Sequence, residues 1–328
     1  MKKVKVAMYG TGAAHAIGAL GTLRELNEYF DFVGVCEPDE KLKSRAEETE
    51  YYKGVHWLTE TEMLKITDLD AVVVESEEVN LTKSAIAMAR KGLHIFMDKP
   101  GGESLEDFEE LIRIMKNTGK VFYTGYMYRH NPSVIHAKKL VSDGVLGDIT
   151  SVEAQMSIRF DTTDSLLKFK GGITYFLGCH LIDLIYSILG EPKKVVPHSS
   201  STRADFNDSL DYGFTVYEYD NGVSFIKTNA TEVNGFDRRQ IVITGTRGTV
   251  EIRPVELFDK VDTLYSTSEM KVSVSDGNKV AEEVIKFPKY KRYDDMFIDF
   301  ARCVVGEKTN NYSYDYERGL HRLIMKSF

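Results

Sequence analysis

The chain has 328 residues, 42% hydrophobic and 28% charged, the balance of a folded protein with room for two domains. Its formal charge of −8, without a basic tract or basic helix, argues against a general binder of nucleic acid or of anionic membrane surfaces. No apolar run approaches the roughly 20 residues of a membrane span, the start lacks a signal-peptide core, and Cys36, Cys179 and Cys303, odd in number and far apart, suit reduced thiols in the cytoplasm; without a C-x-x-C or a clustered His/Cys set, a structural zinc site is not expected.

Residues 4–9 read as a buried strand running into Gly10-Thr11-Gly12-Ala13-Ala14-His15. A helical segment follows, then a second strand over 32–36 that ends on Glu37. Strand, glycine turn, helix, strand and acid in that order form the layout of a dinucleotide site. Gly10 permits the tight turn. Gly12 lets backbone N–H groups approach a pyrophosphate, and the next helix points its N-terminus there. Glu37 is placed to accept hydrogen bonds from the adenosine ribose. A 2′-phosphate would meet Glu37, with Asp39 and Glu40 close by and no adjoining arginine, so NAD is preferred over NADP. The third glycine of the pattern is replaced by His15, whose side chain either pushes the helix off the strand or reaches over the cofactor.

Helix and strand then alternate. Residues 39–49 are helical and polar, and 55–57 suggest a short strand. Residues 70–75 form a β-branched run suited to a buried parallel strand. Residues 81–91 are helical up to Gly92, and 93–97 form a strand leading into Asp98-Lys99-Pro100. Ser104 with Asp107 starts another helix, followed by a strand over 121–124. The alternation predicts a doubly wound parallel sheet in a first domain over 1–125. Beyond it, a helix over 133–143 leads into long alternating segments at 149–160, 212–219, 223–232, 240–245 and 249–252. Asp220-Asn221-Gly222 and Thr246-Arg247-Gly248 join neighbours as hairpins. Shorter helices are expected over 181–189 and 293–305. The second domain, 126–328, is therefore α+β with a large, mostly antiparallel open sheet, and the cleft is expected between the domains.

These residues together resemble the Gfo/Idh/MocA oxidoreductases, the group that includes glucose–fructose oxidoreductase and inositol dehydrogenase. The resemblance rests on the glycine turn with Glu37, and on Gly92-Leu93-His94-Ile95-Phe96-Met97-Asp98-Lys99-Pro100, similar to that family's G-k-H-V…E-K-P signature with Asp for Glu. It rests also on Gly125-Tyr126-Met127-Tyr128-Arg129-His130-Asn131-Pro132 with Gly144-Val145-Leu146-Gly147-Asp148-Ile149, and on Gly178-Cys179-His180-Leu181-Ile182-Asp183. Gly245-Thr246-Arg247-Gly248-Thr249-Val250-Glu251 matches a common sheet turn. The resemblance implies hydride transfer between a nicotinamide and a sugar, cyclitol or related hydroxy compound. It implies that Lys99, before a cis Pro100, polarises the alcohol oxygen, and that His180 is the general base. Asp183 then orients His180 or binds substrate. Ser76, Glu77 and Asp98 fall beside the cofactor, while Tyr126, Tyr128, Arg129 and Asn131 fall on the substrate side. Arg159 and Tyr175 are further candidate substrate contacts. No metal is implied, and pairing through the second-domain sheet implies a homodimer or homotetramer.

The chain departs from that pattern at two further places. Some relatives have an acid four residues before the histidine, where this chain has Phe176. The family's T-P-N-x-x-H after the strand at 70–75 is replaced by Ser76-Glu77-Glu78-Val79-Asn80-Leu81, which adds two acids on the nicotinamide side. These departures leave two alternatives open: NAD-assisted elimination of the glycosidase type without net redox, and a redox-silent protein that binds NAD or a sugar.

Overall fold

A computed structural model of the chain describes residues 2–258 and 265–328. They fall into two compact units, Met1–Tyr126 with Tyr293–His321, and Met127–Arg292 with Arg322–Phe328.

The first unit is built on a parallel sheet of β1 (Val4–Tyr9), β2 (Phe30–Cys36), β3 (Trp57–Leu58), β4 (Ala71–Val74), β5 (His94–Met97) and β6 (Phe122–Thr124), in the order β3-β2-β1-β4-β5-β6. Helices α1 (Ala16–Glu25), α2 (Glu40–Glu47), α3 (Glu60–Leu64), α4 (Leu81–Ala89) and α5 (Leu105–Thr118) connect the strands. Every residue of β4 is buried, which is why its sequence is a continuous apolar run and not an alternating one. Helix α5 starts where Ser104 Oγ accepts the Asp107 N–H at 3.1 Å and stops at Gly119, whose φ of +65° favours glycine. Strand order reverses between β1 and β4. In open α/β sheets that reversal creates a crevice at the carboxyl ends of the strands. Gly10, Glu37, Glu75 and Asp98 each follow directly on one of four neighbouring strands there.

The second unit begins with α6 (Pro132–Ser142) and carries α7 (Cys179–Leu189) against a large sheet. Its strands are β7 (Ile149–Ser157), β8 (Lys194–Ser200), β9 (Tyr212–Tyr219), β10 (Gly222–Asn229), β11 (Gln240–Gly245), β12 (Gly248–Ile252), β15 (Glu269–Ser275) and β16 (Val280–Lys286), in the order β16-β15-β12-β11-β7-β10-β9-β8. Only the β7–β10 pair is parallel. The pieces β13 (Leu257–Phe258), β14 (Tyr265–Thr267) and β17 (Tyr290–Lys291) make a small separate sheet. Along β9 and β10 buried and half-exposed residues alternate, so one face is covered and the other is partly open. A π-helical turn, Thr174–Gly178, precedes α7, so the apolar helix expected from residue 181 begins two residues earlier.

A contiguous second domain over 126–328 does not describe the observed packing, because residues 293–321 return to the first unit. The reason is aromatic. Helix α8 (Asp294–Val304) sends Phe297 and Phe300 onto Phe96 of β5, with ring centroids 4.5 and 5.6 Å away, and Phe300 also meets Tyr123 at 6.0 Å. Burying each such ring contributes roughly 1.5–3 kcal/mol.

Candidate functional site

The cofactor-side residues expected from sequence gather at the crevice of the first unit. Gly10 turns out of β1 with φ +90°, and its N–H donates to Cys36 O at 2.8 Å. A Cβ at Gly10 would run into the Ser76 backbone, so the close approach of the two loops requires glycine. Thr11 is bound to the end of β2, where Glu37 Oε2 accepts its N–H at 2.6 Å and its hydroxyl at 2.9 Å. Glu37 Oε1 accepts the Asp39 N–H at 3.0 Å. A Cβ on Gly12 would lie 2.6 Å from Glu77 Cγ. The Ala13 N–H donates to Glu75 O at 2.9 Å, and the Ala14 N–H donates to the Glu78 carboxylate at 3.0 Å.

His15, the off-pattern residue, reaches over the crevice. It starts α1, and its Nδ1 lies 3.0 and 3.1 Å from the two oxygens of Asp98, beyond β5. Its ring also faces Tyr293 at 6.0 Å. Asp98 and Lys99 are both buried, and the Lys99–Pro100 peptide is cis, as the resemblance implies. Burial pushes the Asp98 carboxyl up, but His15 and Lys99 outweigh it and hold Asp98 below the usual carboxylate range. Glu75 goes the other way. It is 1% exposed, Oε2 has no hydrogen-bond partner, and burial, then Asp98, then Glu78 raise its carboxyl well above the usual range, with Lys99 pulling against them. Ser76 Oγ donates to Ser84 Oγ at 2.8 Å. A pocket of about 360 Å³ beside the β2 end is lined by Tyr9, Glu37, Asp39, Leu42, Asn80 and Lys83, among others. Tyr126 follows β6 and is buried.

Lys99 and Tyr126 belong to the first unit; the other substrate-side residues belong to the second, where some gather and others do not. Arg129 grips Asp183 of α7 through Nε, at 3.0 and 3.1 Å, and through Nη2 at 2.8 Å, with both side chains buried. The Asp183 carboxylate is thus held by an arginine, one helical turn beyond His180. His180, one turn before it, is 3% exposed and stands edge-on to the Tyr128 ring at 4.9 Å. Asn131 caps α6: Oδ1 accepts the N–H groups of Ser133 and Val134, and Nδ2 donates to Val255 O and to Tyr290. Its amide is therefore taken by the fold and not presented to a substrate. Tyr175 sits in an aromatic core with Phe169 and Phe328, at 5.5 and 5.9 Å, and is fully buried. Phe176 stacks on Phe169 at 5.5 Å. Arg159 is exposed at a bridge to Thr231.

One buried cluster had no signature in the sequence. Glu256 binds the Tyr128 hydroxyl, Arg239 Nη1 at 2.7 Å and Arg292 Nε at 2.9 Å. Burial would raise its carboxyl, but Arg292 and Arg239 bring it below the usual range. Glu256 stands in an irregular stretch after Pro254, and its arginines lie 17 residues before it and 36 after, so no local spacing announces the set. Among the described residues no group of His, Cys, Asp and Glu could hold a metal, and no helix is long and apolar enough to cross a membrane.

Residues 4–126 match the family described as "Oxidoreductase family, NAD-binding Rossmann fold", and residues 134–251 match "GFO/IDH/MocA C-terminal domain". The chain belongs to the Gfo/Idh/MocA oxidoreductase family. It is 28% identical over 250 residues to scyllo-inositol 2-dehydrogenase (NAD(+)) of Bacillus subtilis, covering 73% of this chain and 72% of that one. It is 25% identical over 264 residues to 2,7-anhydro-N-acetylneuraminate hydratase of Mediterraneibacter gnavus, covering 77% and 68%. The aldose–aldose oxidoreductase of Caulobacter crescentus shares the fold with a TM-score of 0.79 at 20% identity, covering 98% and 96%. Relatives named for NAD(+) and for NADP(+) both occur. Membership makes this chain an oxidoreductase of the NAD(P)-binding type, with dehydrogenases of sugar and cyclitol hydroxyls among its relatives.

Proposed function

We propose that this protein moves a hydride between a nicotinamide and a hydroxyl-bearing carbon of a sugar, cyclitol or related compound, with NAD preferred over NADP. The observation that carries the reading is the burial of Lys99 directly beyond β5, beside Asp98, at the strand ends that hold the glycine turn and Glu37. The crevice fits a dinucleotide at its adenosine end, where Glu37 and the adjoining pocket offer acceptors and room. The carboxyls of Glu37 and Asp39 disfavour a 2′-phosphate, although Lys83 lines the same pocket. The N–H groups of Gly10, Thr11, Ala13 and Ala14 all have acceptors within the chain, that of Ala14 being the Glu78 carboxylate, so a pyrophosphate at this turn takes over a donor that Glu78 now holds.

The nicotinamide supplies the hydride acceptor or donor when bound. Lys99 holds the substrate oxygen and offsets the negative charge that grows there on oxidation. His180 takes the hydroxyl proton, and a positioned base of that kind contributes roughly 10²–10⁴-fold. Asp183, anchored by Arg129, keeps a fixed negative charge one turn along α7 from that imidazole. The reading carries a cytoplasmic protein, and a homodimer or homotetramer formed on the half-open sheet face where Phe214 and Phe225 meet at 5.3 Å. Light scattering of the purified chain tests the assembly.

The function is tested by following reduced nicotinamide with a panel of inositols and aldoses. Wild type should form it, and Lys99→Ala and His180→Ala should each lose about a hundredfold or more in kcat while staying folded. Wild-type rates in both variants would overturn the assignment. A hydratase among the relatives, together with Phe176 in place of an acid, favours a second reading, elimination without net redox. That reading predicts product without accumulating reduced nicotinamide.

A further inference from the structure

We propose that Glu78 is a built-in occupant of the pyrophosphate seat, which a dinucleotide must displace to bind. The inference rests on the dinucleotide reading of this crevice. Helix α1 has ten residues, no acidic residue in its first turn, and an N-cap, His15, that makes no side-chain cap hydrogen bond. A helix start of that kind favours an anion, supplied either by a ligand or by another part of the chain. Here the chain supplies it. The Glu78 carboxylate, 2% exposed, accepts the N–H of Ala14, the residue before the cap. Glu77 covers the bare face of Gly12, its Cγ 2.6 Å from where a Cβ would stand. The tight turn leading into α4, in which the Asn80 N–H donates to Glu77 O at 2.7 Å, holds both acids over the glycine turn.

A pyrophosphate and the Glu78 carboxylate want the same donor, and both are anionic. The ligand therefore has to swing Glu78 out and then tolerate its charge nearby. An uncharged ligand that uses only the Glu37 end does not compete. The signature of Glu78 is thus a penalty confined to ligands that carry phosphates.

Calorimetric titration of adenosine, ADP-ribose and NAD+ into wild type, Glu78→Gln and Glu78→Ala tests this. The glutamine keeps an acceptor for the Ala14 N–H, and thermal unfolding without ligand confirms that each variant is folded. Both variants should bind ADP-ribose and NAD+ about tenfold tighter than wild type, with adenosine unchanged within about twofold. Equal or weaker ADP-ribose binding in folded variants overturns the proposal and makes Glu78 a cap that shapes the turn. If no form, wild type included, binds any of the three ligands, the dinucleotide reading itself fails and this proposal falls with it.

Discussion

Arg129 and Asp183 form a buried fork, with Nε and Nη2 of the guanidinium on the carboxylate at 3.0 and 2.8 Å and both side chains shut from solvent. Arg129 lies in the short helical turn Met127–His130 ahead of α6 and Asp183 on α7, so the pair ties that turn to α7. Removing one partner strands the other charge, at a cost of about 3–5 kcal/mol. Asp183→Asn and Arg129→Met should each lower the unfolding midpoint sharply, while the double variant Arg129→Met/Asp183→Leu recovers much of the loss. A double variant as unstable as the sum of the singles would contradict the pairing.

Glu75 should make the protein less stable as pH rises. Burial, with Asp98 and Glu78 behind it, lifts its carboxyl in the folded state, whereas the unfolded chain titrates near 4.3. The folded state thus holds the proton more tightly. The stabilisation is complete below the unfolded value and is lost as pH rises through the raised folded one. Glu75→Gln removes this dependence. At neutral pH the variant should gain roughly 1–3 kcal/mol, and near pH 4 the gain should vanish. Melting temperatures across a pH series give the answer, and a pH-independent difference would contradict it.

Two histidines act with the opposite sign. His94 and His321 are each brought down to about 4, chiefly by burial. His94 Nδ1 accepts the Val121 N–H at 2.9 Å, and His321 stacks on Phe108 at 4.0 Å, which fits rings kept neutral for packing. Unfolded histidine takes its proton near 6.5, so their stability is present above that pH and is lost as pH falls toward 4. His94→Gln should make the acid limb of the stability curve shallower. An unchanged limb would show that His94 does not titrate as described.

Glu37 should govern the choice of coenzyme. Its carboxylate is fixed by Thr11 and Asp39 and lines the pocket beside the β2 end that the proposal gives to adenosine. Glu37→Ser removes the charge that meets a 2′-phosphate, and should shift the NADP-to-NAD affinity ratio toward NADP by about tenfold or more. Direct binding measurements with both nucleotides check this, and an unaltered ratio would place the discrimination elsewhere.

The first unit was largely legible because its strands are short apolar runs set off by Gly10, Gly92 and Gly119, and Gly10, Glu37, Glu75 and Asp98 each follow directly on a strand. The large sheet was legible only in part. Strand β8 carries Pro197 and β16 is almost entirely exposed, so neither shows apolar alternation; both are the edges of the sheet, where such residues are tolerated. The return of α8 depended on Phe96 and Phe297 meeting from distant parts of the chain. Site chemistry was least legible where charges pair at long range. The sequence places Asp183 one turn beyond His180, but the grip of Arg129, 54 residues away, on its carboxylate shows only in the fold. The acids of 76–81 were visible as departures, yet only the folded loop shows Glu78 on Ala14.

The central claim is that this chain passes a hydride from a polyol carbon to a nicotinamide. The most direct measurement uses an inositol or aldose deuterated at the reacting carbon, with mass analysis of the nicotinamide released. The account predicts deuterated reduced nicotinamide in stoichiometric amounts, abolished by Lys99→Ala. Substrate turnover with no label in the nicotinamide would contradict it.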